Sequence, residues 1–299
     1  MGLSHNTSVI VATLLVFGMW ACHVTSRTLN EENMLQRHQQ WMARYGRVYK
    51  DVSEKEARFK IFKNNVAHIE AFNNAGNHAY KLSVNQFADQ TNQEFKATRN
   101  GFKFPSTPRS GQTTPFRYET VTAVPSSVDW RKKGAVTLVK DQGQCGGYMD
   151  DGFDFIVKNK GINTEAAYPY EAADGTCNTK KEGVAAAKIT GHEDVPVNSE
   201  SALLKAVSRQ PVSVAIDAGE SDFQFYSSGV FNGTCGTDLD HGVTAVGYGT
   251  SDDGIKYWLV KNSWGTVWGE EGYIRMQRDV EAKEGLCGIA MMASYPTAA

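Results

Sequence analysis

The first 26 residues contain no Lys, Arg, Asp or Glu. Nowhere does the chain hold an unbroken apolar run of the ~18–20 residues that a membrane-crossing helix needs, so no stable span is expected. Five cysteines among 299 residues are too few for a disulfide-dense scaffold, though enough for a few bridges in an oxidising compartment. Cysteine and histidine never cluster at metal-ligand spacing, and no glycine-rich loop has the phosphate-cradling pattern. Internal repeats are absent as well. A resident metal, a nucleotide cofactor and a solenoid architecture are thereby excluded as sequence readings. Neither sign of charge is in excess, with 31 Lys+Arg against 33 Asp+Glu, so there is no electrostatic case for nucleic acid.

What charge there is lies unevenly. Residues 27–123 carry 15 basic and 9 acidic side chains, a net of +6, whereas residues 124–299 carry 16 and 24, a net of −8. Two such segments attract each other. Ahead of both, Val9 to Ala21 is a 13-residue apolar stretch followed by polar Cys22-His23-Val24-Thr25-Ser26. It is too short to span a bilayer and reads, with the rest of residues 1–26, as a secretory signal peptide. Removal of this segment would take Cys22 with it.

Residues 31–46 space Leu35, His38, Trp41 or Met42, and Tyr45 as a helical stripe. A second helix is expected to start near Ser53, with Glu56 completing a capping box. Along it Glu54, Arg58, Phe62, Asn65, Ile69 and Asn73 recur at steps of three and four, which puts all six on one face. A purely structural stripe would be apolar. Polar groups on a buried face need fixed partners, so this face is expected to pack against something specific.

The same six residues match the pattern E-x3-R-x3-F-x2-N-x3-I-x3-N, which resembles the inhibitory propeptide of papain-like cysteine proteases. Ser83 to Asp89 (SVNQFAD) resembles that propeptide's second motif, G-x-N-x-F-x-D, with Ser83 in place of glycine. The resemblance implies an inhibitory propeptide domain over 30–95 and an extended linker over 96–123, which the family threads backwards through the active-site cleft. Residues 124–299 resemble the peptidase domain, in particular the plant senescence-type and seed-type members. The implied fold is α+β: a helical domain and a β-barrel-like domain, preceded by the helical propeptide.

At one point the resemblance breaks. The family continues Q-G-x-C-G-x-C-W-A-F-S, where the second cysteine is the nucleophile and opens a long helix. This chain reads Gln142-Gly143-Gln144-Cys145-Gly146 and then Gly147-Tyr148-Met149-Asp150-Asp151, which resembles a later segment, C-N-G-G-x-M-D. From Cys145 to His241 is 96 residues and to Asn262 is 117, against a family spacing of about 130–150. About 40 residues are therefore expected to be missing near 145–147, leaving the helical domain incomplete. By the resemblance Cys145 is a disulfide cysteine and a poor substitute for the nucleophile.

Downstream, residues 240–249 (DHGVTAVGYG) and 257–265 (YWLVKNSWG) read as strands and carry the family's remaining chemistry. The resemblance implies that His241 is the general base and acid, that Asn262 orients it, and that Gln142 supplies the oxyanion-hole side chain. It further implies that Trp264 shields the His–Asn pair, and that Gly147, Tyr148, Ala215, Asp240, Trp264 and Met292 bind substrate. Cys235 and Cys287 match a family disulfide, while Cys145 and Cys177 resemble halves of two bridges whose partners fell in the gap. They are either free or joined to each other. Val267 stands where relatives often have glycine, so a distorted loop is expected there. Asn232-Gly233-Thr234 is a glycosylation sequon.

Two functions follow. One is a secreted or vacuolar/lysosomal cysteine endopeptidase zymogen, without cofactor, acting on protein and peptide substrates but impaired by the missing nucleophile. The other is a non-catalytic relative, a truncated variant or one whose propeptide inhibits sister proteases.

Overall fold

The computed structural model describes residues 31–102, 115–143, 147–173 and 175–298. The signal-peptide reading of residues 1–26 and the junction at Cys145 lie outside them. The chain forms two compact units, 1–66 and 67–299.

In the first unit, helix α1 runs over residues 31–45 and α2 begins; α2 as a whole is Val52–Ala75. The cap of α2 differs from the sequence expectation. Asp51 Oδ1 accepts the Glu54 backbone N–H at 2.8 Å, and Glu54 reaches back to the Lys50 N–H at 2.9 Å. Ser53 already lies inside the first turn, so its hydroxyl is two residues too late to cap; the Asp51 carboxylate takes the role. His38, Trp41 and Phe62 are buried together, with the His38 ring 4.9 Å from Phe62 and 5.8 Å from Trp41.

The second unit is built on one sheet. Its strands are β1 (Tyr80–Leu82), β2 (Val128–Asp129), β3 (Gly191–Asp194), β4 (Val212–Ile216), β5 (Tyr226–Phe231), β6 (His241–Thr250), β7 (Lys256–Lys261), β8 (Tyr273–Gln277) and β9 (Ala293–Thr297). The spatial order is β1-β5-β8-β7-β6-β4-β9-β3, with β2 pairing β6 off that path. The helices are α3 (Asn92–Arg99), α4 (Met149–Lys158), α5 (Thr179–Glu182), α6 (Glu200–Val207) and α7 (Ser221–Phe225). Ser199 caps α6 through the Ala202 N–H.

Helix α3 corrects the expected linker, because residues 96–99 are helical. Thr91 and Glu94 form a reciprocal capping box, and no glycine or proline interrupts the chain until Gly101.

Burial is lopsided. The sheet carries a closed core in which Trp258, Tyr226, Phe231, Ile274 and Tyr295 are fully enclosed. Across 147–190, by contrast, only Asp150 and Gly161 are buried among the described residues, and Phe155, Ile162, Tyr170 and Val184 stand exposed. Val267 causes no distortion. Positive φ in that loop falls on Gly265, Gly269, Glu271 and Gly272, leaving position 267 open to a side chain.

Candidate active site

Strands β6 and β7 are antiparallel, with Thr244 opposite Lys261. Continuing that register puts His241 and Asn262 on one face as diagonal neighbours, the arrangement in which cross-strand side chains meet. His241 Nε2 lies 2.7 Å from Asn262 Oδ1. The same oxygen accepts the Ser263 backbone N–H at 2.7 Å. A backbone donor fixes that atom as oxygen, so His241 Nε2 carries the proton and donates it to the bond. Nδ1 is left as the basic nitrogen. The Ser263 hydroxyl donates to Gln142 Oε1, and the Gln142 backbone N–H donates to Ser263 O at 2.9 Å. His241, Asn262 and Gln142, spread over 120 residues of sequence, are thus joined through Ser263.

Trp264 stacks on the His241 ring at 4.6 Å and 22°. It is itself wholly enclosed by Phe95, Phe223 and Trp268, each edge-on at 5.0–5.8 Å, with Phe87 at 6.1 Å. With the propeptide docked, Trp264 therefore belongs to a buried aromatic cluster around the His–Asn pair. Burial pushes the His241 imidazole down to about 4, although the Asn262 hydrogen bond works against it. A neutral ring is what a general base requires.

Phe87 and Phe95 come from the N-terminal segment, whose second motif is pinned residue by residue. Asn85 Nδ2 donates to Gln224 O at 2.7 Å, Gln86 Nε2 donates to Trp264 O at 2.8 Å, and the Phe87 N–H is held by Asn85 Oδ1. Ser83 substitutes for glycine without strain, donating its N–H to Phe225 O at 2.9 Å. Asn73, last of the six-residue face, pairs with both backbone groups of Leu82. Strand β1 adds to β5 with Tyr80 opposite Gly229.

Phe102 ends this run. It packs with Ala215 and Leu239, and Tyr148, Met149, Met291 and Met292 close around them. The Phe102 N–H donates to Asp240 O at 3.1 Å, while Asn100 Nδ2 donates to Asp240 Oδ2 at 2.7 Å. Burial raises the Asp240 carboxyl, partly offset by the Ala218 N–H and Asn100. Tyr148, Ala215 and Met292 are thus brought together around one aromatic ring, and Asp240 holds the backbone beside it. Gly147 is exposed and lines, with Phe102, Tyr148 and Gly242, an open cavity of about 220 Å³.

The sequence reading missed Gln86, Phe95, Phe102, Met149 and Leu239. Phe95 could have been found from the Thr91–Glu94 capping box, whose helix must bury some apolar face. Nothing local distinguishes Phe102. The bridge Cys235–Cys287 is formed, with Cα atoms 5.1 Å apart. Cys177 is a free, exposed thiol, so it is not joined to Cys145. Among the described residues no group of acidic, His and Cys side chains could hold a metal ion, and no helix is long and apolar enough to cross a membrane.

The chain matches the family "Papain family cysteine protease" over residues 124–147 and 146–297, and "Cathepsin propeptide inhibitor domain (I29)" over 38–95. It is 49% identical to a senescence-specific cysteine protease, SAG39, of Oryza sativa subsp. indica, over 96% of this chain and 99% of that protein. It is 51% identical to vignain of Ricinus communis, over 89% and 87%. Among solved structures it resembles a recombinant stem bromelain precursor at 46% identity and a TM-score of 0.80, covering 89% of this chain and 99% of that one. It also resembles the proform of the ragweed pollen cysteine protease Amb a 11 at 38% identity and a TM-score of 0.82, covering 90% and 86%. This chain belongs to the papain family of cysteine proteases and carries the family's inhibitory propeptide ahead of its peptidase domain.

Proposed function

We propose that this proenzyme retains the base, its orienting amide and the oxyanion-hole glutamine of a papain-like endopeptidase but lacks the nucleophile, and so does not cleave peptide bonds. The observation that carries this reading is a deficit of chain at one point. The two pieces of the peptidase match meet at residues 146–147. The comparison with the rice protein runs over 342 positions yet takes in 96% of a 299-residue chain. About 55 positions therefore face no residue of this protein. The vignain comparison leaves about 50 by the same reckoning. The exposed apolar residues of 147–190 are what a helical domain deprived of its central element would leave behind.

In this reading His241 Nδ1 would have taken the proton of a thiol, and Asn262 would have held the ring in the required tautomer. Gln142 would have donated to the developing oxyanion. The bonds that join His241, Asn262, Ser263 and Gln142 support this reading. Cys177 is exposed and free, and Cys235 and Cys287 are oxidised. Phe102 occupies the apolar pocket in which a substrate side chain would sit. The compartment that fits best is the secretory pathway, with extracellular or vacuolar/lysosomal delivery, which rests on the apolar run Val9–Ala21 and on the disulfide.

A second reading, inhibition of active sister proteases by the propeptide, is favoured by one specific observation. Three of the propeptide's side chains bind backbone carbonyls of the peptidase domain: Gln86 to Trp264 O, Asn85 to Gln224 O and Asn92 to Gly219 O. Backbone recognition transfers between relatives more readily than side-chain recognition does. A single experiment tests both readings. The chain is assayed for turnover of a peptide with an apolar side chain next to the scissile bond, and residues 27–123 are titrated into an active relative. No turnover with inhibition supports a silent proenzyme with a usable inhibitor; turnover that Cys145→Ala abolishes defeats the first reading.

A further inference from the structure

We propose that Asn232 carries an N-linked oligosaccharide, which stands at the rim of the seam where the propeptide strand β1 joins β5. The inference rests on the secretory reading above. The sequence holds two Asn-x-Ser/Thr sequons, Asn6-Thr7-Ser8 and Asn232-Gly233-Thr234. The first falls in the signal segment and would be lost with it; the second lies in the peptidase domain.

Three independent observations converge on the second sequon. Asn232 and Thr234 are both exposed, immediately after β5 ends at Phe231. The Asn232 carboxamide has no hydrogen-bond partner among the described residues, so nothing in the fold claims it. One residue beyond the sequon, Cys235 is bonded to Cys287. A structural disulfide closes in the same oxidising lumen where glycan transfer takes place.

The chemistry is a displacement at the anomeric carbon. The Asn232 amide nitrogen attacks C1 of a lipid-diphosphate-linked oligosaccharide donor. The C1–N bond forms, the C1–O bond breaks, the polyprenyl diphosphate leaves and the transferase takes up the amide proton. Gly233 lets the sequon fit beside the propeptide strand. A Cβ at that position would lie 2.5 Å from the Tyr80 hydroxyl oxygen and 3.0 Å from the Phe231 ring. Tyr80 is itself fixed by Asp222 Oδ2 at 2.7 Å. With β1 docked, the Tyr80 hydroxyl and the Phe231 ring leave no room for a side chain at the middle of the sequon. Asn232 and Thr234 stay exposed beside the finished seam, and the sugar projects from it.

The test is expression of the full chain in a secretory eukaryotic host, followed by peptide mass mapping before and after amidase treatment. The expected result is amidase-dependent conversion of Asn232 to Asp, with a single-glycan mobility shift. Asn232→Gln and Thr234→Ala should lose that shift, and Thr234→Ser should keep it. The retained sequon in T234S separates loss of the site from loss of folding. A secreted, disulfide-closed chain with unmodified Asn232 overturns the proposal and leaves the secretory reading intact. A chain that never reaches the lumen overturns both.

Discussion

Acidification should weaken this fold through a single imidazole. His241 is 1% exposed, and burial holds its pKa at about 4 even though Asn262 accepts from its Nε2–H. The unfolded chain binds a proton at the ordinary histidine pKa of about 6.5. Above that value neither state is protonated and the full stability is present. Between about 6.5 and 4 the unfolded chain gains a proton that the folded one refuses. Stability is then lost at ~1.4 kcal/mol per pH unit, to a total on the order of 3 kcal/mol. That is a large part of a domain's usual margin. His241→Phe keeps an aromatic ring against Trp264 and removes the titration. Urea unfolding of both proteins should be compared at about pH 7.5, 5.5 and 4.5. The wild-type midpoint should fall faster than the variant's, the two converging as the pH drops. Parallel loss in both proteins would refute the argument, as would a proton resonance of His241 titrating near the free value.

Two further outcomes follow from packing and covalent linkage. Phe102→Ala empties the pocket formed by Ala215, Leu239, Tyr148 and Met292 and should cost ~3 kcal/mol locally. Cleavage within 103–123 by an added protease should then speed up about a hundredfold where it follows local opening; an unchanged rate would mean that Phe102 does not hold the propeptide tail. The Cys235–Cys287 bond closes a loop with a sequence separation of 52, which on the loop-entropy account contributes about 4 kcal/mol. Cys287→Ser should lower the urea midpoint accordingly, and a shift near zero would show that the surrounding packing alone fixes the loop.

Much of the site was legible because its residues sit in contiguous, chemically unusual strings. His241 opens a strand of small and apolar residues, and Asn262 directly follows the next one. A two-residue-period register then forces them together. The six-residue face of α2 could be read for the same reason, since polar residues at helical spacing are improbable without partners. What escaped the sequence was set by contacts across the chain. Phe102 looks like any aromatic before a glycine- and proline-rich stretch, and only folding brings it to Ala215, which is 113 positions away. The burial of Trp264 depends on Phe87 and Phe95 arriving from the propeptide. The cap of α2 was misassigned by two residues because Asp51 and Ser53 both suit the role, and the choice falls to whichever carries the non-helical backbone.

The central claim is that no sulfur stands beside the His241–Asn262 pair. It is tested most directly with E64, the inhibitor found in complex with bromelain. A Cys177→Ser variant of the full chain is first given a trace of active relative to clip its propeptide. Incubation with E64 and peptide-resolved mass spectrometry then report every modified cysteine. The account predicts no adduct at any site, under conditions that label an active relative completely. A stoichiometric adduct on Cys145 would contradict it.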